Sequence, residues 1–275
     1  MFMKSLKQIL EFRKKLEEEA PLVHAVTNPI AINMVANAIL FIGAKAICAA
    51  HPDEVEDIVD ISSSLSVNLG NITSERMRAI KKASKRANKK NIPLAIDLVG
   101  VGASRLRYDF AKDLLRDTKF DLIKGNASEI RALALGKSEA QGIDVGEADK
   151  INKDNIEKIA QEGRSLAQKY QTTVLITGKT DLIVSEDSYL RVDNGVENLS
   201  KITGTGCMLT GLVSSFMAVA DPVSASLIGL LLLEISAEIS DTDRLYTFFV
   251  RLMDELSTID DKELIKRAKI KEVKF

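Results

Sequence analysis

A recurring unit constrains this chain more than any other feature: a short apolar run of strand length followed by an amphipathic stretch of helical period. Residues 46–49, 64–69, 92–98, 120–123 and 172–177 are such runs. Between them, residues 30–42, 74–90, 108–117, 128–135 and 155–170 repeat apolar residues near every third or fourth position. A helix over 4–19 precedes them, and Pro52 starts a further helix. Strands buried on both faces and joined by helical crossovers predict a mostly parallel sheet covered by helices. Residues 182–185 and 188–192 read as a tight antiparallel pair, and from Gly206 to about Ser257 the pattern is almost purely helical. No linker rich in Pro, Gly or Ser and no internal repeat divides the 275 residues, so one α/β domain over 1–275 is expected. The irregular stretch Gly136–Lys153 is the expected surface excursion.

Composition narrows the function. The chain has 38 Lys plus Arg against 39 Asp plus Glu, so no global field draws it to nucleic acid or an anionic membrane. Residues 76–90 hold eight basic side chains and no acidic one, but they lack aromatic residues for base stacking and read as a solvated helix face. The apolar stretch 223–239 is interrupted by Glu234 and Glu238 and reads as a buried core helix, with no membrane partner. The N-terminal residues do not form a signal peptide. Two cysteines cannot frame a disulfide scaffold, and a reducing cytoplasmic setting is expected.

Several chemistries are excluded by spacing. Thr177-Gly178-Lys179-Thr180 lacks the first glycine of a Walker A loop, since Thr173 stands there. No Gly-x-Ser-x-Gly elbow occurs, and His24 and His51 have no partners spaced for zinc. Thr27 or Asn28 could cap the following helix, with Pro29 at its first position.

The most informative stretch is Gly204-Thr205-Gly206-Cys207, which opens an apolar helix. A glycine-rich helix start offers unpaired N–H groups and the positive dipole end to an anion. The same field is expected to favour the Cys207 thiolate. Asp97 ends a strand and is followed by Gly100-Val101-Gly102. It could ligate magnesium on phosphates or cap the next loop. Asn126 and Glu129 have near capping-box spacing, so Glu129 is structural or a second acidic group near phosphate. Asp97, the 124–129 turn, Thr177 and the 204–207 loop each follow a strand, and a parallel sheet would gather them along one edge. That convergence suggests phosphoryl transfer without a P-loop.

The ordered motifs His24-Ala25-Val26-Thr27-Asn28, Asn33-Met34-Val35-Ala36-Asn37, Gly43-Ala44, Val67-Asn68-Leu69-Gly70, Asp97 to Ala103, Gly125 to Ile130, Ile176-Thr177-Gly178 and Gly204 to Cys207 resemble the hydroxyethylthiazole kinases. These are thiamine-salvage members of the ribokinase-like superfamily, and the resemblance runs from His24 to about Val219. It implies a three-layer ribokinase-like sandwich and transfer of the ATP γ-phosphate to 4-methyl-5-(2-hydroxyethyl)thiazole. It also implies a magnesium requirement and a homotrimer with the thiazole near a subunit boundary.

By position, Gly204, Thr205 and Gly206 would form the anion hole, and Cys207 would orient the hydroxyl and accept its proton. Lys124 and Thr177 would contact ATP, Cys48, Asn28 and Gly204 would line the thiazole site, and Asp97 and Glu129 would position magnesium. Three residues depart from the family pattern. Leu98 stands for Pro, Lys124 for Arg, which removes a bidentate fork, and Cys48 for Met, which leaves a smaller lining group. The rivals are another ribokinase-like enzyme, such as a hydroxymethylpyrimidine kinase or a nicotinamide-nucleotide hydrate dehydratase, and a non-catalytic sensor of thiazole or nucleotide. Both rival enzymes would carry Asp where Cys207 stands.

Overall fold

The computed structural model describes residues 5–136 and 155–275, so all but Gly136 of the expected surface excursion lies outside the described residues. Among the described residues, nine strands form one sheet in the order β2-β1-β3-β4-β5-β6-β7-β8-β9. These are β1 Leu22–Val26, β2 Lys45–Ile47, β3 Ser64–Asn68, β4 Leu94–Asp97, β5 Leu122–Asn126, β6 Thr173–Thr177, β7 Asp181–Val184, β8 Ser188–Val192 and β9 Ile270–Lys274. The first six are parallel, and the last three add an antiparallel edge.

Two helical layers cover the sheet. One face carries α1 Leu6–Glu19, α2 Ile32–Phe41, α8 Thr205–Met217, α9 Pro222–Ser240, α10 Leu245–Thr258 and α11 Asp261–Arg267. The other carries α3 Val55–Asp60, α4 Ser74–Lys90, α5 Arg105–Asp117, α6 Ala127–Leu135 and α7 Ile156–Tyr170. Strand alternation divides the core between them: Leu175 joins the first layer while Val174 and Ile176 join the second. In β3, Leu65 and Val67 join the second layer, so Ser64, Ser66 and Asn68 face α8.

Local chemistry sets the element ends. Ser5 and Gln8 close a capping box on α1, and Gly43 follows α2 in the left-handed region. Helix α2 starts later than expected: Pro29 lies in a turn, and Asn28 Oδ1 accepts from the amides of Ile30 and Ala31. Pro52 likewise precedes α3 by three residues, in a turn. The basic face of α4 is a solvated helix face in part paired with α3: Arg86 bonds Asp60, and Lys82 bonds Asp53 just before α3. Helix α9 is long and apolar enough to cross a membrane by length and composition, yet 83% of its apolar window is buried in the protein. Strand β9 escapes sequence reading because its alternation is carried by only Ile270 and Val273 among charges. Pairing with β8 makes it a strand, and its lysines suit a sheet edge.

Candidate active site

The parallel strands β1, β3, β4 and β5 end at the same side of the sheet, where α8 begins. Gly204 takes φ +95, a conformation L side chains rarely adopt, and a Cβ there would press on Ala31 and Met34. No side chain caps α8, and its first backbone bond runs from the Met208 amide to the Gly204 carbonyl. The amides of Thr205, Gly206 and Cys207 therefore have no acceptor within the helix. The Thr205 hydroxyl turns back to the carbonyls of Leu199 and Ile202, so its side chain pins the loop while its amide faces outward with the helix dipole.

Cys207 sits over a polar relay. Asn28 Nδ2 donates to Cys207 Sγ at 3.1 Å and to Asn68 Oδ1 at 3.2 Å. Asn68 Nδ2 donates to Cys207 Sγ at 3.3 Å and to Asp97 Oδ2 at 2.9 Å. Gly70 completes the relay by donating its amide to Asn68 Oδ1, and a Cβ on Gly70 would lie 2.9 Å from that oxygen. Asn28 therefore does not cap α2, whose N-cap is Ala31; its oxygen accepts from the amides of the preceding turn while its nitrogen holds the sulfur.

Asp97, wholly buried, is the hub of the floor. Besides Asn68 it accepts from Thr210 Oγ1 at 2.9 Å and from Lys124 Nζ at 3.2 and 3.3 Å. Lys124 Nζ also donates to the Gly206 carbonyl at 3.0 Å, tying β5 to the start of α8. Burial works against the Lys124 ammonium, but Asp97, Cys207 and Glu129 outweigh it and hold its pKa above the ordinary lysine value. Glu129 closes the capping box expected of it: Oε2 accepts from the Asn126 amide and Asn126 Oδ1 from the Glu129 amide. Its Oε1 accepts from the Gly100 amide, joining the two loops. Burial, with Asp97 nearby, pushes Glu129 up to about 7.

The expectation that the helix start would favour the Cys207 thiolate is reversed. Burial, reinforced by Asp97, pushes the thiol up to about 11 against the opposing pull of Lys124 and the two asparagine donors. Cys207 is therefore a neutral thiol at rest. Loss of water around it comes first, with the neighbouring carboxylate second.

The other expected residues lie at the ends of neighbouring strands of the same sheet. Thr177 ends β6 beside Asn126 of β5, and the next amide, Gly178, bonds Asp181 at 2.9 Å. Cys48 follows the edge strand β2, half-buried against the α2–α8 layer, and burial raises its thiol pKa. Among the described residues, no group of three or more His, Cys, Asp and Glu side chains gathers to hold a metal. Asp97 and Glu129 form a pair of hard oxygen donors only.

Asn68, quoted in a motif but given no role, and Thr210 join the site through Asp97, and Asn68 also through the sulfur. A polar residue at the end of an alternating strand, directly before a Leu-Gly pair, was the signal for Asn68. For Thr210 the signal was its place one turn after Gly206 and Cys207.

The hydroxyethylthiazole kinase family pattern matches residues 13–262. Hydroxyethylthiazole kinase 2 of Clostridium botulinum strain Hall is 41% identical over 262 residues, covering 95% of this chain and 99% of that protein. Hydroxyethylthiazole kinase 1 of Methanosphaera stadtmanae is 34% identical, covering 97% of this chain and 98% of that protein. The solved structure of the hydroxyethylthiazole kinase protein from Pyrococcus horikoshii OT3 superposes with a TM-score of 0.88 at 31% identity, covering 97% of this chain and 99% of that one. The layered α/β architecture is the ribokinase-like sandwich that the motifs implied. The matches span the anion-ready start of α8, the sulfur and the charged floor alike: the chain belongs to the hydroxyethylthiazole kinase family.

Proposed function

We propose that this protein transfers the γ-phosphate of ATP to the primary hydroxyl of 4-methyl-5-(2-hydroxyethyl)thiazole, and that the start of α8 is where the transfer occurs. One observation carries the reading: three free helix-start amides lie beside a sulfur held by two asparagines, above a buried Asp97–Lys124 pair. In the transfer, the alcohol oxygen bonds to the γ-phosphorus, the bond to the β-phosphate oxygen breaks, and ADP leaves. Such a transfer demands positioning and charge stabilisation more than covalent chemistry. The amides of Thr205, Gly206 and Cys207 supply dipoles for the phosphoryl oxygens.

Cys207, neutral at rest, orients the hydroxyl. In a loose transition state the hydroxyl proton leaves only as the new bond forms, so no strong base is needed beforehand and the proton passes to an oxygen of the transferred phosphoryl group. Asn28 and Gly204 border the alcohol, and Cys48 lines its far side. Lys124 and Thr177 face the nucleotide. Asp97 and Glu129 are the carboxylates that would hold magnesium, which prefers one or two carboxylates together with substrate phosphates and retained water. Their oxygens are bonded to Lys124, Asn68 and Thr210 and to the Gly100 and Asn126 amides, so holding the ion would require some of these bonds to be given up. Magnesium would supply charge neutralisation on the phosphates.

The face formed by α2 and α10 leaves Leu40, Phe41, Tyr246 and Val250 exposed, Tyr246 at 81%. That unpartnered apolar patch supports a homotrimer, and Cys48 at the sheet edge would then lie near the boundary. Mass measured in solution tests it, and a monomer at micromolar concentration refutes it. Both cysteines are free, in keeping with a reducing cytoplasm.

The activity is tested by incubating the purified protein with ATP, magnesium and the thiazole alcohol and measuring ADP release and the phosphorylated product by mass. Binding of the alcohol without ADP release would refute the kinase reading. Cys207→Ala should lower kcat by about 10–100-fold with little loss of fold, as expected for a lost orienting group. Cys207→Asp should keep or raise turnover, since a carboxylate is a base at neutral pH. A folded but inactive Asp variant would remove this position from proton handling.

A further inference from the structure

One buried charge next to this site takes no part in the mechanism above. Arg76, on the first turn of α4, is 7% exposed and reaches under the ends of β1 and β3. Its Nη1 donates to the carbonyls of Gly70 and Asn71. Its Nη2 donates to the carbonyls of Thr27 at 2.9 Å, Asn68 at 3.1 Å and Val26 at 3.5 Å. All five acceptors are neutral, and its buried Nε has no partner among the described residues. A buried guanidinium without a counter-ion is expensive. An apolar side chain packed against this site would hold a helix to a sheet at lower cost.

The carbonyls it grips identify its task. Thr27 immediately precedes Asn28, and Asn68 is gripped at its own carbonyl, so the fork clamps the backbone where the two sulfur-holding amides begin. We propose that Arg76 is a positioning residue of the transfer site: by fixing the ends of β1 and β3 against each other, it places the Asn28 and Asn68 amides on the Cys207 sulfur. The inference deepens the proposed function and rests on it only for its kinetic consequence. Lysine cannot replace the fork, because one ammonium cannot span five carbonyls on two strands. The Arg76 charge is itself felt by the sulfur, alongside Asp97, Lys124 and the two asparagines; Arg76→Lys keeps a positive charge, so it probes the fork rather than the charge.

The test is a double-mutant cycle of Arg76→Lys and Asn68→Ala, read in two ways. The first is kcat with the thiazole alcohol. The second, independent of turnover, is the rate of Cys207 alkylation by iodoacetamide at fixed pH, resolved by peptide mass and normalised to Cys48. Arg76→Lys should lower kcat about tenfold, as for a misplaced group, while KM for ATP stays within about twofold. Cys207 alkylation should change in the same direction in both single variants. The double variant should match the more affected single variant in both readouts, because both changes remove one arrangement. Effects that multiply independently, or wild-type kcat and alkylation in folded Arg76→Lys, would overturn the proposal. Arg76→Met adds a harsher probe, and should it fail to fold the lysine variant still decides. Should the wild type release no ADP, the functional reading fails, while the alkylation cycle still upholds or overturns the clamp.

Discussion

Two buried carboxylate pockets lie on the same face of the sheet, and they neutralise their charge in opposite ways. Asp97 is met by an ammonium, a hydroxyl and an amide: Lys124, Thr210 and Asn68. Asp181, on β7, faces Glu234 of α9, and neither meets a cation at bonding distance among the described residues. Burial raises the Asp181 pKa, against the pull of its partner hydrogen bonds, and burial with Asp181 opposite raises Glu234 well above the carboxylate range. One pocket is balanced by a fixed positive charge, while in the other burial favours the protonated form. A fixed cation holds its charge across the physiological range, whereas a proton makes its pocket answer to pH. The first lies under the sulfur; the second lies next to the Gly178 turn, through the bond from the Gly178 amide to Asp181.

Breaking the cation-balanced pocket should have the largest effect. Lys124→Met leaves Asp97 buried without its counter-charge, so unfolding free energy in urea should drop by about 3–5 kcal/mol, with loss of kinase turnover. A drop below about 1 kcal/mol would mean that the pair is not the keystone of the floor. Thr210→Val removes one hydroxyl donor to the same carboxylate at nearly constant volume. It should cost about 1.5–3 kcal/mol by the same measurement, the range for a hydrogen bond to a charged group.

The proton-balanced pocket should respond least and with the opposite sign. The folded state holds its proton more tightly than the unfolded chain. Its stability is therefore full below the ordinary carboxylate range and declines as pH rises through the raised folded pKa. Glu234→Gln keeps the shape and the donor but cannot titrate. Between pH 6 and 9 its melting temperature should fall less steeply than that of the wild type, by a few degrees at roughly 2–4 °C per kcal/mol for a chain of this length. Parallel melting curves would place the titration elsewhere.

The two pockets also differ in how far they could be read from the chain. Asp97 was visible as an acid ending an apolar strand before a glycine pair, whereas Lys124 was reached only through the family resemblance, and where a turn from residue 124 was expected β5 runs on to Asn126. Asp181 begins a strand and Glu234 interrupts an apolar helix, and nothing in either segment indicates the other, 53 residues away. Arg76 is the sharpest case. Within a run of eight basic residues it is indistinguishable from its neighbours, yet it alone among them turns inward and is buried. The thiol shows the same limit from the other side. A helix start next to Cys207 was legible, but the carboxylate and the burial that reverse its effect came from β4 and from packing.

Period and punctuation determined the parallel sheet, the two helical layers and the glycine-rich start of α8, because alternation, helical spacing and glycine geometry are local properties of the backbone. Tertiary structure alone decided which acids received a cation, which received a proton, which arginine became buried and whether the sulfur was ionised. Those outcomes depend on distances between strands and on the exclusion of water, and neither quantity is written in the order of residues along one segment.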